Sequence, residues 1–247
     1  MEAKTDPRVS KITALLHNWL ETRISVENLS WLKGKQAEIR QKAAEKTLFT
    51  AFSGVSRYLE PKKLELSPEE LSAASLIVPG WNPINWTVEQ VGRTWLILSF
   101  PHEEQSRYRA TLDKIWAAAD VGEAIALYQS LPLLPHPEKF QLRAAEGIRS
   151  NMTSVFNAVA LNNPYPATYL DDLAWNQMVL KALFIGSPLH PIYGLERRNN
   201  EQLSQMLIDY ARERLAAKRK VNPELWKLAA PFQPEAVASL EPQFSNL

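Results

Sequence analysis

Apolar positions along this chain recur at helical rather than strand spacing. Val9, Ile12, Leu15, Leu16, Trp19 and Leu20 fall at i, i+3, i+6, i+7, i+10 and i+11, which is one stripe of a helix. Asp6-Pro7 before them suits an N-cap followed by the first helical position, so a helix is predicted over 7–22. A second, longer helix is predicted over 35–59, with a charged, Ala-rich first half and Leu48, Phe52, Val55 and Leu59 buried in its second. Ser67-Pro68-Glu69-Glu70 reads as a capping box with proline at the first position, opening a helix that stops at Pro79-Gly80. Thr87 with Gln90, and Asp120 with Glu123, open two more. Further helices are predicted over 103–118, 138–149, 152–161, 171–185 (closed by Gly186) and 200–219, with a last short one after Asn222-Pro223-Glu224. No segment alternates with period two between turn residues.

These elements predict an all-α fold. Short proline-containing loops between helices suggest stacked helical hairpins, a HEAT-like α-α superhelix, and a compact multi-helix bundle is the competing arrangement. The expected organisation is one helical domain over 1–232, with helices 7–118 packed on 120–232, followed by an extended tail over 233–247.

Composition narrows the chemistry. The chain of 247 residues has 8 Gly and 17 Pro. Average usage would give roughly 17 and 12, so glycine-rich α/β turns are disfavoured and proline punctuation is expected. There is no Cys, which excludes disulfides, thiolate-bound zinc, iron–sulfur clusters and a thiol nucleophile. With 28 Lys and Arg against 27 Asp and Glu, the net charge of +1 argues against a dedicated nucleic-acid binder. No GxG, GxSxG or HExxH is present, and His17, His102, His136 and His190 are scattered, so no catalytic motif, metal site or cofactor is predicted. The start MEAKTDPRVSK lacks an apolar signal core. No apolar run approaches the ~20 residues of a membrane span. A soluble cytoplasmic protein that does not cross the membrane is expected.

The least usual stretch is 151–200. On the 171–185 helix, a turn of 100° per residue puts Asp172 and Asn176 on one polar stripe and Gln177 and Lys181 on another, roughly 140° away. Trp175, Met178, Val179 and Leu183 fill apolar positions and are expected in the core. Lys181 can snorkel, so Gln177–Lys181 is the better solvent face, leaving Asp172 and Asn176 to line a cleft or to be satisfied inside the fold. Asn163, Tyr165 and Tyr169 sit in or after an Asn-Asn-Pro-Tyr-Pro turn, where the tyrosines either line a cavity or cap the core. His190 lies between prolines, and Arg197-Arg198 precede a helix start where an anion could bind. Asn163, Tyr165, Tyr169, Asp172, Asn176, His190, Arg197 and Arg198 are therefore the candidate ligand- or partner-binding residues. Trp31, Trp81 and Trp86, at helix ends or in loops, are further candidates for a groove.

The run NMTSVFNAVALNNPYPATYLDDLAWNQMVLKALFIGSPLHPIYGLERRNN at 151–200 resembles the signature stretch of the EboA family, and NPELWKLAAPF at 222–232 resembles that family's C-terminal end. The resemblance spans about Leu127–Phe232. It implies a place in the Ebo gene cluster, whose other members resemble a UbiA-type prenyltransferase, a TatD-like hydrolase, a sugar-phosphate cyclase and a sugar isomerase, and which is linked in some settings to moving a scytonemin precursor to the periplasm. The implied role is that of a non-catalytic accessory protein in making or exporting a hydrophobic or aromatic secondary metabolite. Its implied partners are other Ebo-cluster proteins or the metabolite itself, through which it would sit peripheral to the inner membrane. The alternative is an enzyme acting on a sugar-derived or prenylated intermediate, with a pocket around Asp172, Asn176 and His190.

Overall fold

Local capping sets where most helices begin. In the computed structural model, which describes residues 6–244, Asp6 accepts from the Arg8 amide to start α1 (Pro7–Glu21). Ser25 accepts from Asn28 to start α2 (Val26–Lys42). α3 (Glu45–Gly54) follows, continued by a 3-10 turn over Val55–Arg57. Reciprocal capping boxes open α4 (Pro68–Ile77) at Ser67/Glu70 and α5 (Val88–Leu98) at Thr87/Gln90. α6 (Gln105–Ala118) precedes α7 (Val121–Ser130), opened by the Asp120/Glu123 box. Then come α8 (Gln141–Arg149), α9 (Thr153–Ala160), the one-turn α10 (Tyr165–Tyr169), α11 (Asp172–Ile185), α12 (Glu201–Ala216), α13 (Glu224–Ala229) and α14 (Pro234–Phe244). The structure is 69% helical, with fourteen α-helices and no strand among the described residues. One isolated bridge, Lys63 to Thr87, joins two loops. The fold is all-α, as expected.

Three elements differ from the sequence expectation. The stretch expected as an Asn-Asn-Pro-Tyr-Pro turn carries the one-turn helix α10. The helix expected over 35–59 is two helices, the first beginning earlier, at Val26. The chain turns at Ala43, whose φ of 48° is left-handed, and the Ala43 amide closes the preceding turn on the Ile39 carbonyl. Left-handed closure is ordinarily supplied by glycine or asparagine, so an alanine there carries no sequence signal. The segment expected as an extended tail forms α14 instead. Pro234 opens it, where a missing amide costs nothing, and Val237 and Leu240 are buried on one face. Pro242 falls within its last turn, and 245–247 lie outside the described residues.

The chain divides into two compact units, residues 1–163 and 164–247. In the first, α5 is the central helix. It packs against α1, α2, α3 and α7, and nine of its eleven residues are buried. Burying α5 buries Arg93, whose Nη1 lies 2.6 Å from Glu89 Oε1 one turn earlier. Its Nε donates to the Phe52 carbonyl at 3.3 Å, so the guanidinium is paired and bonded as a buried charge requires. Trp81 and Trp86, expected to edge a groove, are core residues at 1% and 4% exposure. Trp81 packs 5.6 Å from both Trp19 and Trp86, because the loop that carries them folds inward. Trp31 is half-buried and stacks on Tyr58 with ring centroids 4.0 Å apart. In the second unit, α12 packs against α11, α13 and α14. α11 ends at Gly186, whose φ of 75° lets its amide close back on Ala182. Trp175, Met178, Val179 and Leu183 are buried, as their positions on the stripe predict.

Candidate functional site

The candidate residues separate into three settings. Asn163 belongs to the first unit. It is buried, and its Nδ2 donates to the Tyr128 carbonyl at 3.2 Å and the Ala158 carbonyl at 3.0 Å, satisfying the end of α9. It thus ties α7 to α9.

The second setting lies within unit 164–247 around Arg198. Its Nη1 donates to the carbonyls of Leu170 at 2.7 Å and Pro166 at 3.2 Å, and its Nη2 to Asp172 Oδ1 at 2.5 Å. The guanidinium lies 4.9 Å from the centre of the Trp175 ring. A helix as short as α10 has most of its carbonyls unpaired, and the Arg fork supplies donors to them. Tyr165 is fully buried, with Tyr169 tilted against it at 4.7 Å. Asn176 is also fully buried. Its amide pairs reciprocally with that of Asn200, donating at 3.1 Å and accepting at 2.9 Å, while Asn200 Oδ1 caps α12 by accepting from the Leu203 amide. The two members of the predicted stripe therefore part company. Asn176 faces inward, whereas the Asp172 side chain is 76% exposed and turns to Arg198. Gln177 is exposed and Lys181 half-buried, its pKa lowered by burial.

The third setting is a groove of about 860 Å³, also within the second unit, within the usual size range of small-molecule sites. His190 and Arg197 line it, together with Ile192, Leu195, Leu228 and Phe232 as apolar wall and Asn199, Glu224 and Lys227 as polar groups. Glu224 is fixed rather than free. Its Oε2 accepts from the Leu189 amide at 3.0 Å, and its Oε1 stands 3.8 Å from His190 Nδ1. Asn199 Nδ2 donates to the Leu228 carbonyl at 2.8 Å, and its Oδ1 is buried with no donor among the described residues. Arg197 lies over the Tyr193 ring at 5.4 Å, which holds its charge beside the groove. Phe232 is 42% exposed, an aromatic left open to solvent. Of the eight candidates, the groove wall brings together only His190 and Arg197. Sequence reasoning missed Glu224, Lys227, Leu228 and Phe232, which all fall in the NPELWKLAAPF segment.

Fold and groove together define an all-helical protein with an open, ligand-sized recess in its C-terminal unit. The chain belongs to the EboA family: the family model described as metabolite traffic protein EboA matches residues 12–230. The comparisons find no match among the curated proteins and none among the solved structures. The family's role is metabolite traffic, and no helix of the described residues is long and apolar enough to cross a membrane.

Proposed function

We propose that this chain is a non-catalytic accessory protein of the Ebo system. In this reading it holds a hydrophobic or aromatic secondary metabolite, of the scytonemin-precursor type, in the groove of its second unit during biosynthesis or export to the periplasm. The observation that carries the reading is the groove lining. Ile192, Leu195, Leu228 and Phe232 offer apolar surface to a ring system, and Arg197, Lys227, His190 and Glu224 offer charged or hydrogen-bonding groups to its polar ends. Such a lining suits capture and hand-over to another Ebo-cluster protein, with the chain working in the cytoplasm. The enzyme alternative keeps only His190 in the groove, because Asp172 and Asn176 lie outside its lining and are held by Arg198 and Asn200.

Complementation tests the proposal. In cells lacking the native gene, Phe232→Glu and Arg197→Glu should each reduce export of the metabolite, with the protein still folded by thermal melting. Asp172→Asn should export normally. Normal export by both groove variants would reject the groove as the working surface. Full activity of purified protein on a metabolite precursor would reject the accessory role.

A further inference from the structure

The first unit holds a recess of its own, which the reading above does not use. Its volume is about 580 Å³, within the usual range of small-molecule sites. α1 contributes Ser10, Ala14 and His17 to its walls, α2 contributes Gln36 and Arg40, and the end of α5 with the loop behind it contributes residues 98–103. The floor is apolar, since Val9, Trp95, Leu98 and Phe100 line the recess and are almost wholly buried. The polar atoms of Trp95, Thr13 and Ser99 are already engaged at this depth. Trp95 Nε1 donates to the Thr13 carbonyl at 3.1 Å, and Thr13 Oγ1 donates to the Val9 carbonyl at 2.8 Å. Ser99 Oγ donates to the Trp95 carbonyl at 2.7 Å and accepts from Gln36 Nε2 at 3.1 Å. His17, half-buried, leans over Trp95 with ring centroids 5.8 Å apart.

The permanently charged side chains of the lining are Arg40 and Glu103, both exposed. Two contacts bracket them. Gln36 donates to Ser99, and Arg107 Nη2 donates to the Ala43 carbonyl. The stretch 36–43 therefore runs alongside the stretch 99–107, with Arg40 in the middle of one and Glu103 in the middle of the other. The loop that carries Glu103 is fixed from within and from outside. His102 Nδ1 lies 3.3 Å from the Phe100 carbonyl, and His136 Nε2 lies 3.1 Å from the His102 carbonyl. Arg40 and Glu103 nevertheless form no ion pair with each other, and neither has another hydrogen-bond or ion-pair partner among the described residues. A guanidinium and a carboxylate thus line one recess, each with its bonding capacity unused.

We propose that this recess binds a free α-amino acid with an apolar side chain. The Arg40 fork takes its carboxylate, Glu103 takes its ammonium, and its side chain lies on the floor of Val9, Trp95, Leu98 and Phe100. Charge selects the ligand class. A molecule of one sign satisfies one of the two groups and brings like charge towards the other. A zwitterion satisfies both, and the gap that keeps Arg40 from pairing with Glu103 leaves room for it. The apolar floor selects the side chain, because a polar one would lose its water there without finding a partner.

Isothermal titration calorimetry of the full chain tests this with L-leucine, L-phenylalanine and two analogues of the latter. Phenylpropanoate lacks the ammonium, and phenylethylamine lacks the carboxylate. Both amino acids should bind, and each analogue should bind roughly tenfold more weakly than phenylalanine, the loss of one charged hydrogen-bonding partner. Arg40→Gln should abolish the preference for phenylalanine over phenylethylamine and keep the preference over phenylpropanoate. Glu103→Gln should do the reverse. Both positions are exposed, and unchanged melting curves verify that the variants fold. Binding of neither amino acid, or equal binding of the three phenyl compounds, would overturn the proposal. So would wild-type discrimination in either variant, which would mean that the group replaced does not meet the ligand.

Discussion

Replacing Arg198 by methionine separates a structural role from a ligand-binding one. Methionine keeps most of the aliphatic stem and removes the fork. The lost interactions are two carbonyl bonds at 2.7 and 3.2 Å, the contact with the Trp175 ring at 4.9 Å and the ion pair with Asp172. A hydrogen bond from a charged donor contributes about 1.5–3 kcal/mol. The two carbonyl bonds share one guanidinium and do not add in full. The cation–π contact adds about 0.5–2 kcal/mol. The ion pair adds about 0–1 kcal/mol, because the Asp172 side chain is 76% exposed. Taken together, Arg198→Met should cost about 3 kcal/mol. Asp172→Asn should cost under about 1 kcal/mol. Urea denaturation followed by tryptophan fluorescence gives both numbers. Equal losses in the two variants would mean that the ion pair, not the carbonyl bonds, is the main interaction of Arg198. A loss below about 1 kcal/mol in Arg198→Met would mean that water replaces the fork at the end of α10.

Asn176→Ala should cost about 1–3 kcal/mol by calorimetry, because it strips the cap residue Asn200 of its buried partner, while metabolite export by the folded fraction stays normal. Gly147→Ala should destabilise by about 1–3 kcal/mol, as its methyl would stand 2.6 Å from Val159 Cγ2 and 2.8 Å from Tyr128 Cε1 at the packed junction of α8 with α9 and α7; an unchanged urea midpoint would mean that Tyr128 moves aside without cost. Glu45 accepts from Lys114 Nζ and Thr111 Oγ1, and the Lys114 bond holds its carboxyl below the ordinary value of 4.5. A lowered folded-state pKa stabilises above the unfolded value and ceases to as pH falls through the folded one. Glu45→Gln should therefore melt earlier at neutral pH, with the difference shrinking as pH falls below 4.5 and gone once it has passed the lowered folded-state value, as a melting series would show; a constant difference across pH would contradict the assignment.

What was legible in the sequence was what is decided locally. Asp6, Ser67, Thr87 and Asp120 mark helix starts because each accepts from an amide two or three residues on, a bond the sequence spacing alone specifies. The turn at Ala43 was hidden because its closure uses a residue type that ordinarily continues a helix. α14 was hidden behind Pro234 and Pro242, which read as breakers although one opens the helix and the other falls in its last turn. The helical wheel placed Asn176 inward but could not separate it from Asp172. Their partners, Asn200 and Arg198, come from a segment more than twenty residues on. The groove is a meeting of 190–199 with 224–232, and no spacing rule links Arg197 to Phe232.

Whether the second unit's groove holds a metabolite, as proposed, is read by native mass spectrometry of the protein purified from its own cell. A bound metabolite should give a population heavier than the bare chain by one small organic molecule, released on denaturation and missing from Phe232→Glu. A protein that emerges only at the mass of its chain, from cells actively exporting the metabolite, or an adduct that persists unchanged in Phe232→Glu, would contradict it.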